Sequence, residues 1–310
     1  MPEFYLVPKE LAHKVPLVAR VAHRVEAFIF RSMFSLVRHL RLETALRISG
    51  KLFYFMGRFS NKKAKALANL KIAFPDKSEQ WYEETAREIF RSLGYAAVEL
   101  IKLDQIWEER EQRIEYVLEP GARRHMENGG ATVFMTAHLG AWQVAPLITR
   151  EYNFPINIIY APESNPAMNE VMQNLRSAIG DKLIAATAGP RPIMKALNRG
   201  ESLVMAVDTR PDTGKLVPFF GKDALANTSV IGLGLRSKAA LVIARADRLP
   251  QGRYRITMLD PIEAPDQEAD VKEQSIEITR IIHGHFEQWI RQYPQQWICL
   301  KRRWPKAHKL

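Results

Sequence analysis

The chain has 310 residues, of which 46% are hydrophobic, enough for a core in one large or two ordinary domains. Its formal net charge of +11 favours anionic partners, which are acidic membrane lipids, an acidic protein or nucleic acid. The single cysteine, Cys299, excludes an internal disulfide framework and a cysteine-based zinc site, and indicates a reducing compartment.

The N-terminal part of the sequence predicts amphipathic helices. Charged residues interrupt the first 20 positions, which argues against a cleavable secretory signal. Residues 16–60 predict one or two helices that carry apolar residues together with many arginines. Two interpretations are open: a surface helix that packs on the domain, or a monotopic anchor whose apolar side enters the lipid headgroup boundary while its arginines contact anionic lipid. We expect a membrane-associating helical region over residues 1–60 and an α/β domain over residues 61–310.

The rest of the chain predicts alternating helices and strands. A helix begins after Ser78, a suitable N-cap, and continues to about Leu103. Short runs rich in β-branched and apolar residues then alternate with helical segments, and a final helix stops before Pro294. This order predicts an α/β fold with a mixed, mostly parallel sheet flanked by helices. The predicted strands are "ATVFMTAH", "INIIYAP", "SLVMAVDT", "AALVIARA" and "YRITMLD".

Several classes of protein find no support in the sequence. The longest uncharged run, between Glu127 and Arg150, is long enough to span a bilayer, but its Asn, Gly, Gln and Pro residues favour a buried strand that continues into a helix. The chain lacks the G-x-G-x-x-G, G-x-x-x-x-G-K-[ST], G-x-S-x-G and H-E-x-x-H patterns of nucleotide-binding proteins, serine hydrolases and zinc proteases. His283 and His285 point to different faces of a helix, so we expect no metal site. Nucleic-acid binding rests on charge alone, and we do not expect it.

One histidine stands where chemistry is expected. The segment "TAHLGAWQVAP" places His138 at the end of a predicted strand, followed by the small residues Gly140 and Ala141, which let a substrate approach closely. An imidazole there can accept a proton from a hydroxyl group, and it does so best when a carboxylate holds its other nitrogen. A core histidine without chemical function is the alternative.

Four segments of the chain resemble the bacterial lipid A biosynthesis acyltransferases, a lysophospholipid-acyltransferase-like family that includes lauroyl and myristoyl transferases and is related to mycobacterial mannoside acyltransferases. The similarity extends from about Leu70 to about Trp304. It implies an enzyme without a cofactor, bound peripherally or monotopically at the cytoplasmic face of the inner membrane. The implied reaction moves a fatty acyl chain from an acyl-carrier-protein or coenzyme A thioester to a hydroxyl of a lipid A precursor or related glycolipid. The segments are "TAHLGAWQVAPLI", "IIYAPESNPAMNEVMQNLRSAIG", "VMAVDTRPDTGKLVPFFGKDALANTS" and "PQQWICLKRRWP".

This chain departs from the family signature at one position. The signature is a histidine, four residues, and then Asp or Glu, whereas here it begins at His138 and ends at Gln143. The resemblance implies that His138 deprotonates the acceptor hydroxyl and that the acidic residue fixes the imidazole tautomer and stabilises the imidazolium. Gln143 can accept a hydrogen bond but carries no charge, which predicts a reduced rate. An inactive protein of the same fold that binds lipid or acyl carrier is the open alternative.

Further site residues follow from the same resemblance. Many relatives have an arginine where this chain has Ala161, so charge stabilisation of the reacting thioester must come from another cation. Asp208 is expected to position Arg210 or to cap the turn that follows it. Phe219 and Phe220 are expected to pack in the core or to line an acyl tunnel. We predict substrate-binding roles for Arg210, Asp208, Arg245, Phe219 and Phe220.

Overall fold

The computed structural model describes residues 16–177, 179, 182–211 and 213–304. The argument about a secretory signal concerns residues that lie largely outside this described part. As predicted, the region before residue 60 contains two helices, α1 and α2. The helices are α1 (Pro16–His39), α2 (Leu42–Met56), α3 (Lys63–Ala73), α4 (Glu79–Ile101), α5 (Leu103–Glu108), α6 (Arg110–Arg113), α7 (Pro120–Asn128), α8 (Leu147–Glu151), α9 (Pro166–Arg176), α10 (Pro190–Leu197), α11 (Ser229–Arg236) and α12 (Val271–Gln292).

A mixed sheet of seven strands forms the centre of the fold, in the order β1-β9-β8-β2-β5-β3-β4. All neighbouring pairs are parallel except β8 and β9, which are antiparallel, so the predicted α/β fold with a mostly parallel sheet is confirmed. A separate antiparallel hairpin is formed by β6 and β7. The strands are β1 (Ile114–Leu118), β2 (Thr132–Thr136), β3 (Ile156–Tyr160), β4 (Lys182–Ala185), β5 (Ser202–Ala206), β6 (Lys215–Phe219), β7 (Lys222–Ala226), β8 (Ala240–Leu249) and β9 (Arg253–Met258).

Strand β2 is buried on both faces, as expected for a central parallel strand covered by helices. Val133 and Met135 belong to one hydrophobic core, and Phe134 between them belongs to the other. This alternation follows from the period of two along a strand. The sheet therefore separates two cores, and the chain leaves β2 at an edge where side chains can reach solvent.

The N-terminal helices leave a large apolar surface uncovered. Helix α2 packs closely against α4, where the hydroxyl of Ser49 donates to the carbonyl of Gly94 at 2.9 Å. No helix in the described part of the chain is long and apolar enough to cross a bilayer. The exposed apolar residues of this region, which we call the apolar helix face, are Leu17, Val21, Val25, Phe28, Ile29, Met33, Leu36, Ile48, Leu52, Phe55, Met56 and Phe59.

A buried asparagine fixes the C-terminal segment to the domain. Asn69 on α3 is 1% exposed, and its amide nitrogen donates to the carbonyls of Cys299 and Lys301, both at 2.8 Å. Its side-chain oxygen accepts from the backbone N–H of Arg303 at 2.9 Å. Three hydrogen bonds from one side chain thus hold residues 299–303 in place, although this segment has no regular secondary structure of its own.

We expect Asn69→Ala to lower the free energy of unfolding by about 2–4 kcal/mol, because it removes three buried hydrogen bonds and leaves their backbone partners unsatisfied. Chemical denaturation followed by tryptophan fluorescence measures the change. The exposed Asn128 provides the control, since Asn128→Ala removes the same group from a solvated position. Equal effects of the two substitutions would contradict the role of Asn69.

Candidate active site

The loop after β2 presents His138 at the carboxyl edge of the sheet. The backbone around it is held tightly, because the carbonyl of His138 accepts from the N–H of Ile298 at 2.8 Å. Two residues on, Gly140 has a φ of +60°, and a Cβ there would lie 2.3 Å from the carbonyl oxygen of Ala246. That same oxygen accepts from the N–H of Ala141 at 2.8 Å. Only glycine fits this turn, which presses the loop against β8.

Asp208 lies beside His138 and is its hydrogen-bond partner. It follows the end of β5, the parallel neighbour of β2, and it is 3% exposed. Its Oδ1 accepts from the backbone N–H of His138 at 3.0 Å and lies 2.7 Å from Nδ1 of the imidazole. Its Oδ2 accepts from the indole N–H of Trp297 at 3.1 Å. The buried carboxylate is therefore satisfied by one backbone N–H, one imidazole nitrogen and one indole N–H.

The charges of the pair stabilise each other. Burial disfavours the imidazolium of His138, but the charge and hydrogen bond of Asp208 outweigh it, so the pKa of His138 is raised above its ordinary value. Burial alone would raise the pKa of Asp208, but the charge and hydrogen bonds of His138, together with Trp297, lower it. Asp208 is thus held as a carboxylate that accepts a hydrogen bond from the protonated Nδ1 of His138.

The second ring nitrogen of His138 is available for chemistry. With Nδ1 donating to Asp208, the neutral ring carries its lone pair on Nε2, which has no hydrogen-bond partner among the described residues. The side chain is 30% exposed, so the ring is not sealed in the core. Trp142 lies beside it with a ring-centroid separation of 5.4 Å. This arrangement can accept a proton from a group that approaches from solvent.

The carboxylate at His138 comes from a different place than the sequence analysis assumed. Gln143 was expected to hold the imidazole, but Asp208 occupies Nδ1, and Gln143 lies half-buried in the turn region that follows His138. Nor does Asp208 serve only the following turn or Arg210, since its side chain contacts His138 and Trp297. The reason is that the carboxyl ends of neighbouring parallel strands meet at one edge of a sheet.

The two predicted arginines have different surroundings. Arg245 forms an ion pair with Asp247 at 2.9 Å and lies 5.3 Å from the ring centroid of Trp289, so its charge is already engaged within the protein. Arg210 is half-buried, and its Nε has no hydrogen-bond partner in the described residues. Substrate binding by either arginine stays a prediction, and Arg210 is the one whose charge is not matched by a described carboxylate.

Phe219 and Phe220 lie inside an aromatic cluster. Phe219 is 0% exposed and stacks on Trp304 with centroids 5.7 Å apart. Phe220 stacks on Trp297 at 6.2 Å. Through Trp297 both residues support the indole that holds Asp208. Their contacts are those of core residues, and lining of an acyl tunnel stays a prediction.

Sequence reasoning missed the buried groups that surround Asp208. Trp297 was seen only as part of a family motif, and nothing in the local pattern predicted its hydrogen bond. Arg303 is 2% exposed, and its Nη2 lies 3.1 Å from Nε2 of His283. Burial, together with the charge of the nearby Arg303, lowers the pKa of His283 to about 4, so this histidine is neutral near pH 7. The "RRW" motif was the available signal.

The comparisons with known proteins identify the family of the chain. Residues 18–306 match the family model described as bacterial lipid A biosynthesis acyltransferase. The chain therefore belongs to that family and is an enzyme of the acyltransferase class. Within its described residues, no group of three or more His, Cys, Asp or Glu could hold a metal ion.

Two curated relatives come from Escherichia coli K12. The lipid A biosynthesis lauroyltransferase is 27% identical over 262 residues, which cover 79% of this chain and 80% of the relative. The lipid A biosynthesis palmitoleoyltransferase is 27% identical over 263 residues, which cover 80% and 81%. Among solved structures, the 1-acyl-sn-glycerophosphate acyltransferase PlsC of Thermotoga maritima has a TM-score of 0.37 at 14% identity, covering 78% of this chain and 97% of that one.

We expect the imidazole of His138 to titrate above its ordinary value of 6.5, and Asp208→Asn to move the midpoint below 6.5. The substitution removes the negative charge while the burial that disfavours the imidazolium remains. Histidine side-chain NMR measures both midpoints. His125 on α7 is the internal control, because burial alone lowers its pKa and Asp208 has no part in that shift. An unchanged midpoint for His138 would show that Asp208 does not cause the shift.

Proposed function

We propose that the chain transfers a fatty acyl group from an acyl-carrier-protein or coenzyme A thioester to a hydroxyl group of a lipid A precursor, with His138 as general base. The observation that carries the proposal is the His138–Asp208 pair, in which a buried carboxylate holds Nδ1 and leaves Nε2 open to solvent. Family membership supports acyl transfer, and the net charge of +11 suits an acidic carrier protein and an anionic lipid surface.

In the proposed reaction, Nε2 of His138 accepts the proton of the acceptor hydroxyl as its oxygen attacks the thioester carbonyl. The resulting imidazolium is stabilised by the carboxylate of Asp208, which does not itself need to accept a proton. Collapse of the tetrahedral intermediate breaks the C–S bond, and the imidazolium returns its proton to the thiolate. The products are an ester and a free thiol.

The negative charge that develops on the carbonyl oxygen needs a donor or cation. We assign this role to Arg210, which lies two residues after Asp208 and whose Nε is buried without a partner among the described residues. The charges of Arg210 and Asp208 both act on the pKa of Arg303. Both side chains therefore lie within electrostatic range of this one buried guanidinium. A phosphate group of the substrate is the other anion that Arg210 could bind.

The inactive alternative rests on Gln143, which replaces the acidic residue of the family signature. A protein of this kind would bind lipid or acyl carrier without transfer. The position of Asp208 favours the enzyme, because the imidazole has a charged partner without any contribution from residue 143.

We further propose that the chain lies peripherally on the cytoplasmic face of the inner membrane, with residues 1–60 as the associating region. The apolar helix face would enter the boundary between headgroups and acyl chains. Phe28 and Leu36 on α1 are 70% and 65% exposed, which is unfavourable for large apolar side chains in water. Exposed arginines of the same region, such as Arg24 on α1 and Arg41 just before α2, are suited to anionic headgroups.

For acyl transfer, the purified protein in detergent is given an acyl-carrier-protein thioester and a lipid A precursor, and free thiol and acylated lipid are measured. We expect His138→Ala to reduce transfer to background and Asp208→Asn to lower kcat by about 10²–10⁴. Gln143→Glu should change kcat by less than about threefold, because Nδ1 already has a carboxylate partner. Asp208→Asn should also move the acid limb of the pH profile to lower pH.

The exposed Asp223 provides a control, since Asp223→Asn removes one carboxylate at a distance from the sheet edge. Wild-type kcat in Asp208→Asn, combined with a large gain in Gln143→Glu, would show that residue 143 is the position where the base needs its carboxylate. No thiol release by the wild type above His138→Ala would favour the inactive alternative.

For membrane association, we expect the double variant Phe28→Ser/Leu36→Ser to bind anionic vesicles at least about tenfold more weakly, because each side chain loses roughly 1.5–3 kcal/mol of apolar burial. Vesicle sedimentation measures the difference. Val117→Ser/Leu216→Ser is the matched control, with two exposed apolar residues outside the N-terminal helices. Similar losses in both variants would contradict an association through α1.

A further inference from the structure

One polar cavity is lined by neither His138 nor Asp208. It has a volume of about 330 Å³ and is enclosed by α2, α4 and the turn at Pro250–Gly252, where β8 leads into β9. Neither the family signature nor the sequence analysis uses it. We call it the basic pocket, and its charged lining includes Arg47, Lys51, Arg91, Glu99, Arg248 and Arg253.

The floor of the basic pocket is a rigid ion pair. Glu99 on α4 is 0% exposed, and its two carboxylate oxygens accept from Nε and Nη2 of Arg248 at 2.7 and 2.9 Å. The guanidinium of Arg248 also lies 5.4 Å from the ring centroid of Tyr95. A bidentate pair of this kind fixes its geometry, and the two charges cancel. The floor is thus preformed and contributes no net charge.

The rim of the basic pocket carries an excess of positive charge. Its other carboxylate, Glu43, is already paired with Arg113 at 2.9 Å. Arg47, Lys51 and Arg253 are exposed, and none of them forms an ion pair within the described residues. Three cations around a neutral floor make a site for a polyvalent anion, and arginine in particular suits the oxygens of phosphate.

The basic pocket also borders the apolar helix face. On α2, Ile48 and Leu52 follow Arg47 and Lys51 directly and are 51% and 48% exposed. Arg47 and Lys51 therefore lie at the boundary between the apolar side of α2 and the basic pocket. Long basic side chains at such a boundary reach the level of lipid headgroups when the apolar side enters the acyl region.

The basic pocket opens at the same edge of the sheet as the active site. Strand β8 passes the loop of His138 at Ala246, whose carbonyl accepts from Ala141, and Arg248 lies only two residues further along the strand. A rise of about 3.3 Å per residue puts the pocket floor within a short distance of that loop. A lipid with its hydroxyl at His138 can therefore have its headgroup close to these cations.

We propose that the basic pocket binds the phosphate group of an anionic lipid headgroup at the membrane surface. The inference rests on the proposed function for placing the chain on a lipid surface, but it does not depend on acyl transfer. Two lipids offer this chemistry, a phosphorylated glycolipid acceptor and a membrane phospholipid. Arg47, Lys51 and Arg253 supply the positive charge at the rim, and the Glu99–Arg248 pair forms the floor that they surround.

The test measures binding of the full chain to phosphatidylcholine vesicles that contain a phosphorylated lipid A precursor, phosphatidylglycerol, or neither. The pocket variant is Arg47→Gln/Lys51→Gln/Arg253→Gln. The matched control, Arg24→Gln/Arg41→Gln/Arg58→Gln, removes three exposed cations from the same helical region without touching the pocket. All six side chains are exposed, so both variants should fold, and thermal melting verifies this.

We expect the pocket variant to lose at least about tenfold more affinity than the control for the two anionic vesicles, with no difference on phosphatidylcholine alone, whose choline cation neutralises its phosphate. An extra loss confined to precursor vesicles identifies the acceptor as the ligand, and an extra loss on both identifies a membrane phospholipid as a ligand as well. Equal losses in the two variants, or no binding of the wild type to either anionic vesicle, would overturn the proposal. Because no turnover is measured, an inactive enzyme leaves the test intact.

Discussion

The site depends on one buried carboxylate. Asp208 is 3% exposed, and burying its charge costs free energy unless hydrogen bonds replace those it would make to water. The backbone and ring of His138 and the indole of Trp297 provide these hydrogen bonds. Asp208 and those partners belong to three separate parts of the chain: the end of β5, the end of β2 and the segment after α12. The hydrogen bonds to this one carboxylate therefore fix the loop that carries His138. They also set the ring tautomer in which Nδ1 carries the proton and Nε2 carries the lone pair.

The C-terminal segment is consequently part of the arrangement that holds His138 and Asp208, the proposed catalytic pair. Asn69 fixes its backbone, Phe219 and Phe220 pack around Trp297, and the N–H of Ile298 holds the carbonyl of His138. A family motif at this end of the chain thus has a physical explanation. It positions the indole of Trp297, which donates to Asp208. Because Asp208 supplies a carboxylate to His138, the imidazole has a charged partner even though the signature ends in Gln143.

The N-terminal helices are connected to this arrangement by direct contacts. Ser49 of α2 bonds to Gly94 of α4, and Ser92 of α4 donates to the carbonyl of Gln295 at 3.0 Å, two residues before Trp297. The surface proposed to meet lipid and the shell of Asp208 therefore share α4 as a common support. The basic pocket lies on this support as well, since Glu99 is one of its residues. The surface proposed to bind lipid and the His138–Asp208 pair are thus connected through one helix.

Periodicity, capping and motif order are local features, and they were enough to predict the longest helices, the five strands β2, β3, β5, β8 and β9, and the family. The cap at Ser78, which accepts from Trp81, and the end of α12 before Pro294 are examples. The sequence also identified His138, which ends an apolar run. It did not identify Asp208 as the partner, since the two residues are 70 positions apart and meet only because β2 and β5 are neighbours. Strand order, the antiparallel β8–β9 pair and the basic pocket were decided by tertiary packing, which brings together groups that no local pattern relates.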